Sequence, residues 1–267
     1  RNKIGSIGLP AASHGNIFAS AFEGEEISNT SDYFKMPANI FIEGRPAGLF
    51  YGFRTNGIVT QEAIDKGLVP TYRGQQLQPG DIWYLDTDGS GNVDDMDKEV
   101  IGDPNPSFTY GFSTSFRWKS LSLSMMFDGV YGNQIANGNL LPETNTSPTG
   151  NNLHNVRTEA YLGAWSESNQ DARYPRLNRT AGQTKDFTDR ILENGSYMRL
   201  SAVTLSYQFN FKRTSVVKNL RNAFTWSSYS GWDPEVSSFT NNALKVGVDW
   251  SSYPSSRAYV CGITMTF

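Results

Sequence analysis

Apolar and polar residues alternate with a period of two along several long stretches of the chain. In Phe108–Trp118, every even position but one carries an aromatic ring, and the odd positions are small or polar. Successive side chains of a strand face opposite sides, so this pattern predicts a strand with one aromatic face. A turn at Lys119 and Ser120 and a second alternating stretch over residues 121–127 predict a hairpin.

Further alternating stretches predict strands at residues 197–211, 244–250 and 257–267, with weaker candidates at 16–22 and 47–53. Soluble strands are mostly about 5–6 residues long. Several of these stretches reach the length of about 9–11 residues that a tilted membrane-spanning strand needs. Helical periodicity is confined to short stretches. The pattern therefore predicts an all-β chain of roughly six to eight strands.

Long polar segments at about 54–107 and 132–196 separate strands that are otherwise joined by short turns. Short turns at one end and long loops at the other are typical of an antiparallel transmembrane β-barrel. A soluble β-sandwich also alternates, and periodicity alone leaves both open. Aromatic residues at the strand ends favour the barrel, because such barrels carry rings at both membrane interfaces. These residues are Phe108, Trp118, Tyr197, Phe211, Trp250 and Phe267.

The barrel hypothesis assigns each alternating position to a face. The residues expected to contact lipid are Phe112, Phe116, Leu123, Met125, Leu205 and Tyr207. Those expected to face inward are Thr109, Ser113, Ser122, Ser124, Ser206 and Gln208. The terminal Phe267, with alternating apolar residues behind it, matches the pattern by which outer-membrane barrels are recognised for assembly.

Composition narrows the possible functions. The formal net charge is −3, which is too balanced for a protein that binds nucleic acid by neutralising phosphates. One cysteine, Cys261, excludes an internal disulfide framework and a cysteine-cluster zinc site. No apolar run is long enough for a transmembrane helix. The first residue is Arg1 rather than Met, which indicates a mature or internal fragment.

Several sequence blocks resemble SusC/RagA-type TonB-dependent outer-membrane transporters. The segment from Pro79 through the acidic loop to Gly102-Asp103-Pro104-Asn105-Pro106 looks like the family signature, and the ordered set of blocks is more specific than any one of them. The blocks occur in the family's order over nearly the whole chain. They cover residues 79–82, 100–106, 108–112, 129–133, 194–200, 229–236 and 253–257, with 43–53 and 56–58 upstream and Phe267 at the end.

The resemblance implies that residues 1–267 are the C-terminal segment of the barrel of a Bacteroidetes transporter. Family members import glycan fragments or peptides. The implied partners are a SusD-like surface lipoprotein, TonB through the absent N-terminal part, the plug and remaining strands of the same chain, and membrane lipid or lipopolysaccharide. The chain is too short for a barrel of about 22 strands plus its loops, so it is expected to form an incomplete barrel.

One departure from the family lies near residues 220–221, where the pattern would place a whole strand before the Asn222-Ala223-Phe224-Thr225 turn. Either a strand has been lost or the sequence joins residues across a chain gap. An odd deletion would reverse the direction of every later strand, so the gap is the favoured interpretation.

The segment 86–97 fits the template of a calcium-binding loop. Its candidate ligands are Asp86, Asp88, Ser90, Asn92, Asp94 and Asp97. Ser in the fifth position and Asp in the twelfth depart from the template. Oxygen-only ligands favour Ca²⁺ or Mg²⁺ over zinc, and we expect a structural role. The alternative is an acidic loop of Asx-turns without an ion.

Aromatic residues in the long loops are candidates for stacking on a sugar substrate, with loop anchoring or membrane-interface placement as the alternative. These residues are Tyr161, Trp165, Tyr174, Trp226 and Trp232. Catalytic motifs are poorly supported, so the prediction is a non-enzymatic outer-membrane transporter for glycan oligosaccharides or peptides. The alternatives are a soluble, calcium-stabilised β-sandwich that binds carbohydrate and, less favoured, a glycosidase fragment.

Overall fold

The structure is a computed structural model, and it describes residues 38–40, 42, 45–143, 156–177, 183, 186–209, 214–235 and 246–264. The predicted strand at 16–22 and the residues Phe211 and Phe267 lie outside the described residues. No helix in these ranges is both long and apolar enough to cross a membrane.

The described residues form fifteen strands and three short helices. The strands are β1 (Asn39–Ile40), β2 (Leu49–Gly52), β3 (Thr55–Ile58), β4 (Thr71–Tyr72), β5 (Ile82–Tyr84), β6 (Asn92–Val93), β7 (Glu99–Gly102), β8 (Phe108–Trp118), β9 (Leu121–Tyr131), β10 (Gln134–Asn137), β11 (Leu192–Asn194), β12 (Tyr197–Phe209), β13 (Thr214–Ser227), β14 (Val248–Asp249) and β15 (Ala258–Thr264). The helices are α1 (Gln61–Asp65), α2 (Leu140–Glu143) and α3 (Thr158–Leu162).

Five long strands form one antiparallel sheet in the order β15-β13-β12-β9-β8. The predicted hairpin is confirmed as β8 and β9, and Lys119 takes the positive φ of 51° that their tight turn requires. The predicted strand at 197–211 is observed as β12. Short connections join the strands at one end of this sheet, which we call the turn end. The long segments emerge at the other, the loop end.

Two strand predictions need correction. The stretch 244–250 was predicted as one strand, but among its described residues only Val248 and Asp249 are in a strand, which pairs in parallel with β10 in the loops. Positive φ angles at Gly247 (75°) and Ser251 (54°) turn the chain on both sides of it. Strand β13 was not predicted at all.

A β-bulge explains why β13 was missed. Leu200 pairs with Phe224 and Ala202 pairs with Arg221, so Asn222 and its neighbour stand opposite a single residue of β12. Asn222 has a φ of 51°, in the left-handed region that Asn tolerates better than most residues. The extra residue shifts the two-residue alternation halfway along the strand. The point where the family pattern loses a strand, near 220–221, lies inside β13, directly before the bulge.

The register sorts the sheet into an apolar face and a polar face. Cross-strand neighbours such as Phe116, Leu123 and Leu205 lie on the apolar face, and Ser122 and Ser206, whose hydroxyl oxygens are 2.8 Å apart, lie on the other. All six residues expected to contact lipid share the apolar face, and all six expected to point inward share the polar face.

The apolar face is not covered by other described residues. Its exposed members are Phe108, Phe112, Phe116, Trp118, Tyr131, Leu205, Tyr207, Phe209, Phe224, Trp226, Tyr259 and Ile263. Lys218, which pairs with Leu205 and Cys261, is the one charge on this face within the five strands.

The buried cores lie in the segments beyond the loop end. We call the described parts of 38–107, 132–196 and 228–257 the loop body. One cluster contains Ala38, Phe50, Ile101, Ala136, Leu141, Phe187, Ile191 and Val248. The other contains Phe53, Val59, Tyr72, Leu77, Ile82, Tyr84 and Val93. The long loops are therefore packed structures built from strands of two to four residues.

Candidate functional site

Residues of the sequence blocks that resemble the transporter family form the junction between the sheet and the loop body. Asn105 donates from its side chain to the Ala47 carbonyl and to the Asp103 carboxylate, both at 2.8 Å. Asp103 also exchanges two hydrogen bonds with Gln134, each 2.9 Å long. The segment before β8 is thereby fixed to both its neighbours at the loop end.

Two further blocks meet each other at the same level. The Gly195 amide donates to the Asn133 carbonyl at 2.9 Å, and the Gly132 amide donates to the Ser196 hydroxyl at 3.0 Å. A Cβ at Gly195 would stand 2.4 Å from the Asn133 side chain, so only glycine fits without a shift. These contacts join the end of β9 to the start of β12.

A buried ion cluster ties the loop after β13 to the sheet. The Arg199 guanidinium, on the polar face of β12, donates to Asp233 at 2.5 Å and also to Glu235. The side chains of Arg199 and Asp233 are only 4% and 7% exposed. Asp233 also accepts from the Ser255 amide at 3.0 Å. The two halves of this loop are thus fastened together over the polar face of the sheet.

A second buried charge cluster holds residues 71–98 against the segment around 186. The Asp186 carboxylate accepts from the hydroxyls of Tyr72 (2.6 Å) and Tyr84 (3.0 Å). Arg73 lies 3.5 Å from Asp186 and 3.3 Å from Asp95. Burial raises the pKa of Asp186, although its hydrogen bonds and Arg73 act against that shift. Burial likewise raises the pKa of Tyr72.

Two clefts open in the loop body. The first, of about 710 Å³, is lined by both signs of charge. Its charged residues are Arg157, Arg173, Arg190, Glu159, Asp186 and Glu193. Glu193 accepts from the amide and hydroxyl of Ser230 at 2.7 and 2.6 Å. Burial lowers the pKa of Arg190, which donates to the Arg173 carbonyl at 2.8 Å. We call this the arginine cleft.

The second cleft, of about 850 Å³, shares Arg157 and Ser230 with the first. Trp232 and Tyr253 line it, and these residues are 86% and 92% exposed. Arg157 is its one charged lining residue among the described residues. We call it the Trp232 cleft.

The acidic loop brings together three of its four predicted carboxylate ligands. Carboxylate oxygens of Asp86, Asp88 and Asp97 lie within 4.8 Å of one another. Asp94 instead caps a 3₁₀ turn, accepting from the Met96 amide at 2.8 Å. The Ser90 hydroxyl donates to the Asn92 carbonyl at 2.9 Å. A hydrogen bond from the Ser90 amide lowers the pKa of Asp88.

The five predicted stacking residues lie in three environments: on the apolar face of the sheet, packed inside the loop body, and near open surface. Trp226 was placed in a loop, but it lies in β13 on the apolar face against Phe224, with ring centroids 4.7 Å apart. The missed bulge in β13 is the reason for this error. Trp165 packs on Gly80, where an added Cβ would stand 2.5 Å from its ring.

Three candidates remain near open surface. Tyr174 lines the arginine cleft, with the Arg173 guanidinium 5.6 Å from its ring centre. Tyr161 is 65% exposed on α3 and lines neither cleft. Trp232 is the most exposed of the five.

Sequence reasoning missed Tyr253 and both ion clusters. Arg199 lies 34 residues from Asp233, and Asp186 lies 114 residues from Tyr72, so no local pattern connects the partners. The one available signal was that Arg199, Asp233 and residues 253–257 all lie inside motif blocks.

Comparisons with known proteins agree with this architecture. The chain is 30% identical over 247 residues to TonB-dependent receptor P3 of Formosa agariphila. This alignment covers 88% of the chain and 24% of P3. It is 25% identical over 199 residues to TonB-dependent receptor SusC of Bacteroides thetaiotaomicron, covering 71% of the chain and 18% of SusC. No protein-family model matches the chain.

Solved structures give the same result. The structure of the RagAB peptide importer in the open-open state matches with a TM-score of 0.62 and 26% identity over 86% of the chain. The resemblance to SusC/RagA-type TonB-dependent transporters is confirmed. The SusC-like chain spans about a quarter of these relatives, with 24% of P3 and 23% of the matched RagAB chain covered. Its antiparallel sheet is accordingly a portion of a transporter barrel.

Proposed function

We propose that this chain supplies part of the barrel wall and extracellular loops of a SusC-like TonB-dependent transporter in the outer membrane. The complete protein takes up nutrients, either glycan oligosaccharides or peptides, and catalyses no reaction. The observation that carries this proposal is the uncovered apolar face of the five-stranded sheet. A face of this size exposes too much apolar area for water and suits lipid.

The ends of the sheet support the membrane assignment. Trp118, Tyr207 and Phe209 lie near the turn end of the apolar face, and Phe108, Tyr131 and Trp226 lie near the loop end. Aromatic rings at both interfaces are typical of transmembrane barrels. The turn end then faces the periplasm, the loop body faces outward, and the polar face lines the lumen and contacts the plug.

The proposed partners follow from the same comparison. A SusD-like lipoprotein would cover the loop body, TonB would act through another part of the complete protein, and the plug and remaining strands would complete the barrel. The alternative of a soluble β-sandwich is disfavoured, since no second described sheet packs on the apolar face.

The test uses the full-length protein in its native host. We expect it in the outer-membrane fraction, resistant to high-salt and carbonate extraction. Deleting its gene should abolish growth on one nutrient in a panel of purified glycans and peptide mixtures, and a plasmid copy should restore it. Release from the membrane by carbonate, or unimpaired growth on every nutrient, would contradict the proposal.

We also propose that the acidic loop binds Ca²⁺, or less favourably Mg²⁺, in a structural role. Asp86, Asp88 and Asp97 supply three close carboxylate oxygens, the donor type that Ca²⁺ prefers. Asp97 is fully buried and accepts from the amides of Thr87 and Asp94, which orient it towards the loop. Asp94, which caps the 3₁₀ turn, would have to reorient in order to join the shell.

Calcium titration of the full-length protein tests this site. We expect Ca²⁺ to raise the thermal unfolding temperature and a chelator to lower it. The double variant Asp86→Asn/Asp88→Asn should lose this response. The control variant Asp65→Asn should keep the response to Ca²⁺. In the unaltered protein, the Asp65 carboxylate accepts a hydrogen bond from Gln61 on the exposed helix α1. An unfolding temperature that is insensitive to Ca²⁺ in the unaltered protein would rule the site out.

A further inference from the structure

One cation interrupts the apolar face of the five-stranded sheet. Lys218 of β13 pairs with Leu205 of β12 and Cys261 of β15, and all three lie on this face. No carboxylate lies on the same face among the described residues of the five strands. An ammonium group in apolar surroundings is costly unless an anion pairs with it. Lys218 therefore needs an anion that the described sheet does not supply.

The strands on both sides of Lys218 belong to the described residues. Strand β13 is hydrogen-bonded to β12 on one side and to β15 on the other. In the proposed barrel, the remaining strands join this sheet at its two edges, β8 and β15, and the plug lies against the polar face. The nearest surroundings of Lys218 on the apolar face are thus contained in this chain, and they are uncharged.

The position of Lys218 along its strand indicates where the anion lies. Tyr207 is two residues nearer to the turn end than Leu205, the pairing partner of Lys218, which corresponds to about 7 Å along the strand. In the other direction, Trp226 lies eight residues further along β13. Tyrosine and tryptophan rings mark the level of the lipid headgroups. The flexible four-carbon stem of lysine can carry its ammonium group to this level at the turn end.

Tyr207 supplies a second hydrogen-bond donor beside Lys218. It pairs with Val216, two residues before Lys218, so the two side chains are diagonal neighbours on one face. Diagonal neighbours lie within reach of aromatic and long side chains. The Tyr207 ring packs edge-on against Phe209, with ring centroids 4.7 Å apart, which restrains its position. An ammonium group and a phenol hydroxyl at one level suit the oxygens of a single phosphate group.

We propose that Lys218 and Tyr207 bind the phosphate group of a glycerophospholipid in the leaflet at the turn end of the sheet, which is the periplasmic leaflet. The fatty-acid chains of this lipid lie on the apolar face beside Leu205. A phosphate group is the anion that a bilayer itself offers at the headgroup level, whereas a carboxylate would have to come from another protein. This inference rests on the proposed function and names a lipid partner for the barrel wall.

The experiment uses the full-length protein, purified in an uncharged detergent and freed of bound lipid. Phosphatidylglycerol and diacylglycerol with the same fatty-acid chains are titrated separately, and bound lipid is counted by native mass spectrometry. We expect an affinity for phosphatidylglycerol about tenfold or more above that for diacylglycerol, because only the former offers a charged acceptor. Inorganic phosphate, added as a competitor, should not displace the lipid, since it lacks the fatty-acid chains.

Four variants assign the binding to the two side chains. Lys218→Met should bind phosphatidylglycerol no better than diacylglycerol, and it should fold because methionine suits an apolar face. Lys218→Arg keeps the charge and should retain the preference for phosphatidylglycerol. Tyr207→Phe keeps the ring but not the hydroxyl, and its affinity should fall about three- to tenfold. Arg221→Met removes a cation from the polar face of the same strand and should bind lipid normally.

Three results would overturn the inference: full affinity for phosphatidylglycerol in Lys218→Met, equal affinity of the unaltered protein for the two lipids, or displacement of the lipid by inorganic phosphate. If Lys218→Met instead converts a dimer into a monomer and keeps its lipid, a second copy of the protein covers this face and the lipid site is wrong.

Membrane fractionation separates this inference from the proposed function. If the unaltered protein resists carbonate extraction but Lys218→Met binds lipid normally, only the lipid site fails. If carbonate releases the unaltered protein from the membrane, the transporter proposal fails whatever the lipid titration shows.

Discussion

The five-stranded sheet and the loop body place their apolar residues in opposite ways. Phe50, in the loop body, is fully buried among residues of other loops, whereas Phe112, in the centre of β8, is 51% exposed. In the sheet the charges are sparse and the rings point outward. In the loop body the rings point inward, and buried ion clusters join distant segments. The two regions of one chain thus follow opposite rules of burial.

This contrast shows what holds each region together. The sheet is stabilised by backbone hydrogen-bond ladders, and its apolar face needs a cover that the described residues do not supply. The loop body has its own cores and polar anchors, and its segments pack as in a water-soluble domain. Substitutions of the same chemical kind should therefore have opposite consequences in the two regions.

The largest expected effect is in the anchor between them. Arg199→Met removes the cation and leaves the buried Asp233 unpaired, which should cost about 3–5 kcal/mol. Hydrogen exchange of residues 228–257 in the full-length protein should accelerate strongly. Arg221→Met, which removes an exposed arginine from the neighbouring strand, should leave exchange unchanged. Equal acceleration in both variants would show that Arg199 is no special anchor.

The next test inverts the sheet's pattern. Phe112→Arg places a charge at the centre of the proposed lipid face and should cost about 2–4 kcal/mol. Ser113→Arg, one residue away on the polar face, should cost much less. Outer-membrane abundance of the two full-length variants compares them directly. Equal abundance would mean that the two faces have been assigned wrongly.

Sequence alternation predicted the sheet well because each of these strands has one apolar and one polar face, so apolar residues recur at every second position. It failed at β13, where the bulge at Asn222 shifts the phase. It also failed in the loop body, whose strands of two to four residues are too short to show a period. The acidic loop was recognisable because its residues are contiguous, whereas Arg199 and Asp233 meet only in the fold.

A smaller effect is expected inside the loop body. Tyr72→Phe removes one of the two hydroxyls that donate to Asp186, and a hydrogen bond to a charged group contributes about 1.5–3 kcal/mol. The thermal unfolding temperature of the full-length protein should fall. Tyr161→Phe removes a hydroxyl from an exposed ring and should have no effect. A matching decrease in Tyr161→Phe would remove the evidence for a specific cluster.

The smallest effect is a pH dependence of the same cluster. Because burial raises the pKa of Asp186 above its ordinary value of 3.8, the folded state binds its proton more tightly than the unfolded state. The stability from this group is then complete below pH 3.8 and is lost as the pH rises through the raised pKa. The Asp186→Asn variant has no titrating group at this position. Its unfolding temperature should therefore lack the part of the decrease between acid and neutral pH that Asp186 causes in the unaltered protein. The informative measurement is the difference between the two proteins at each pH, since it cancels all other carboxylates. A difference that stays constant from pH 4 to 7 would show that Asp186 titrates as it does in water.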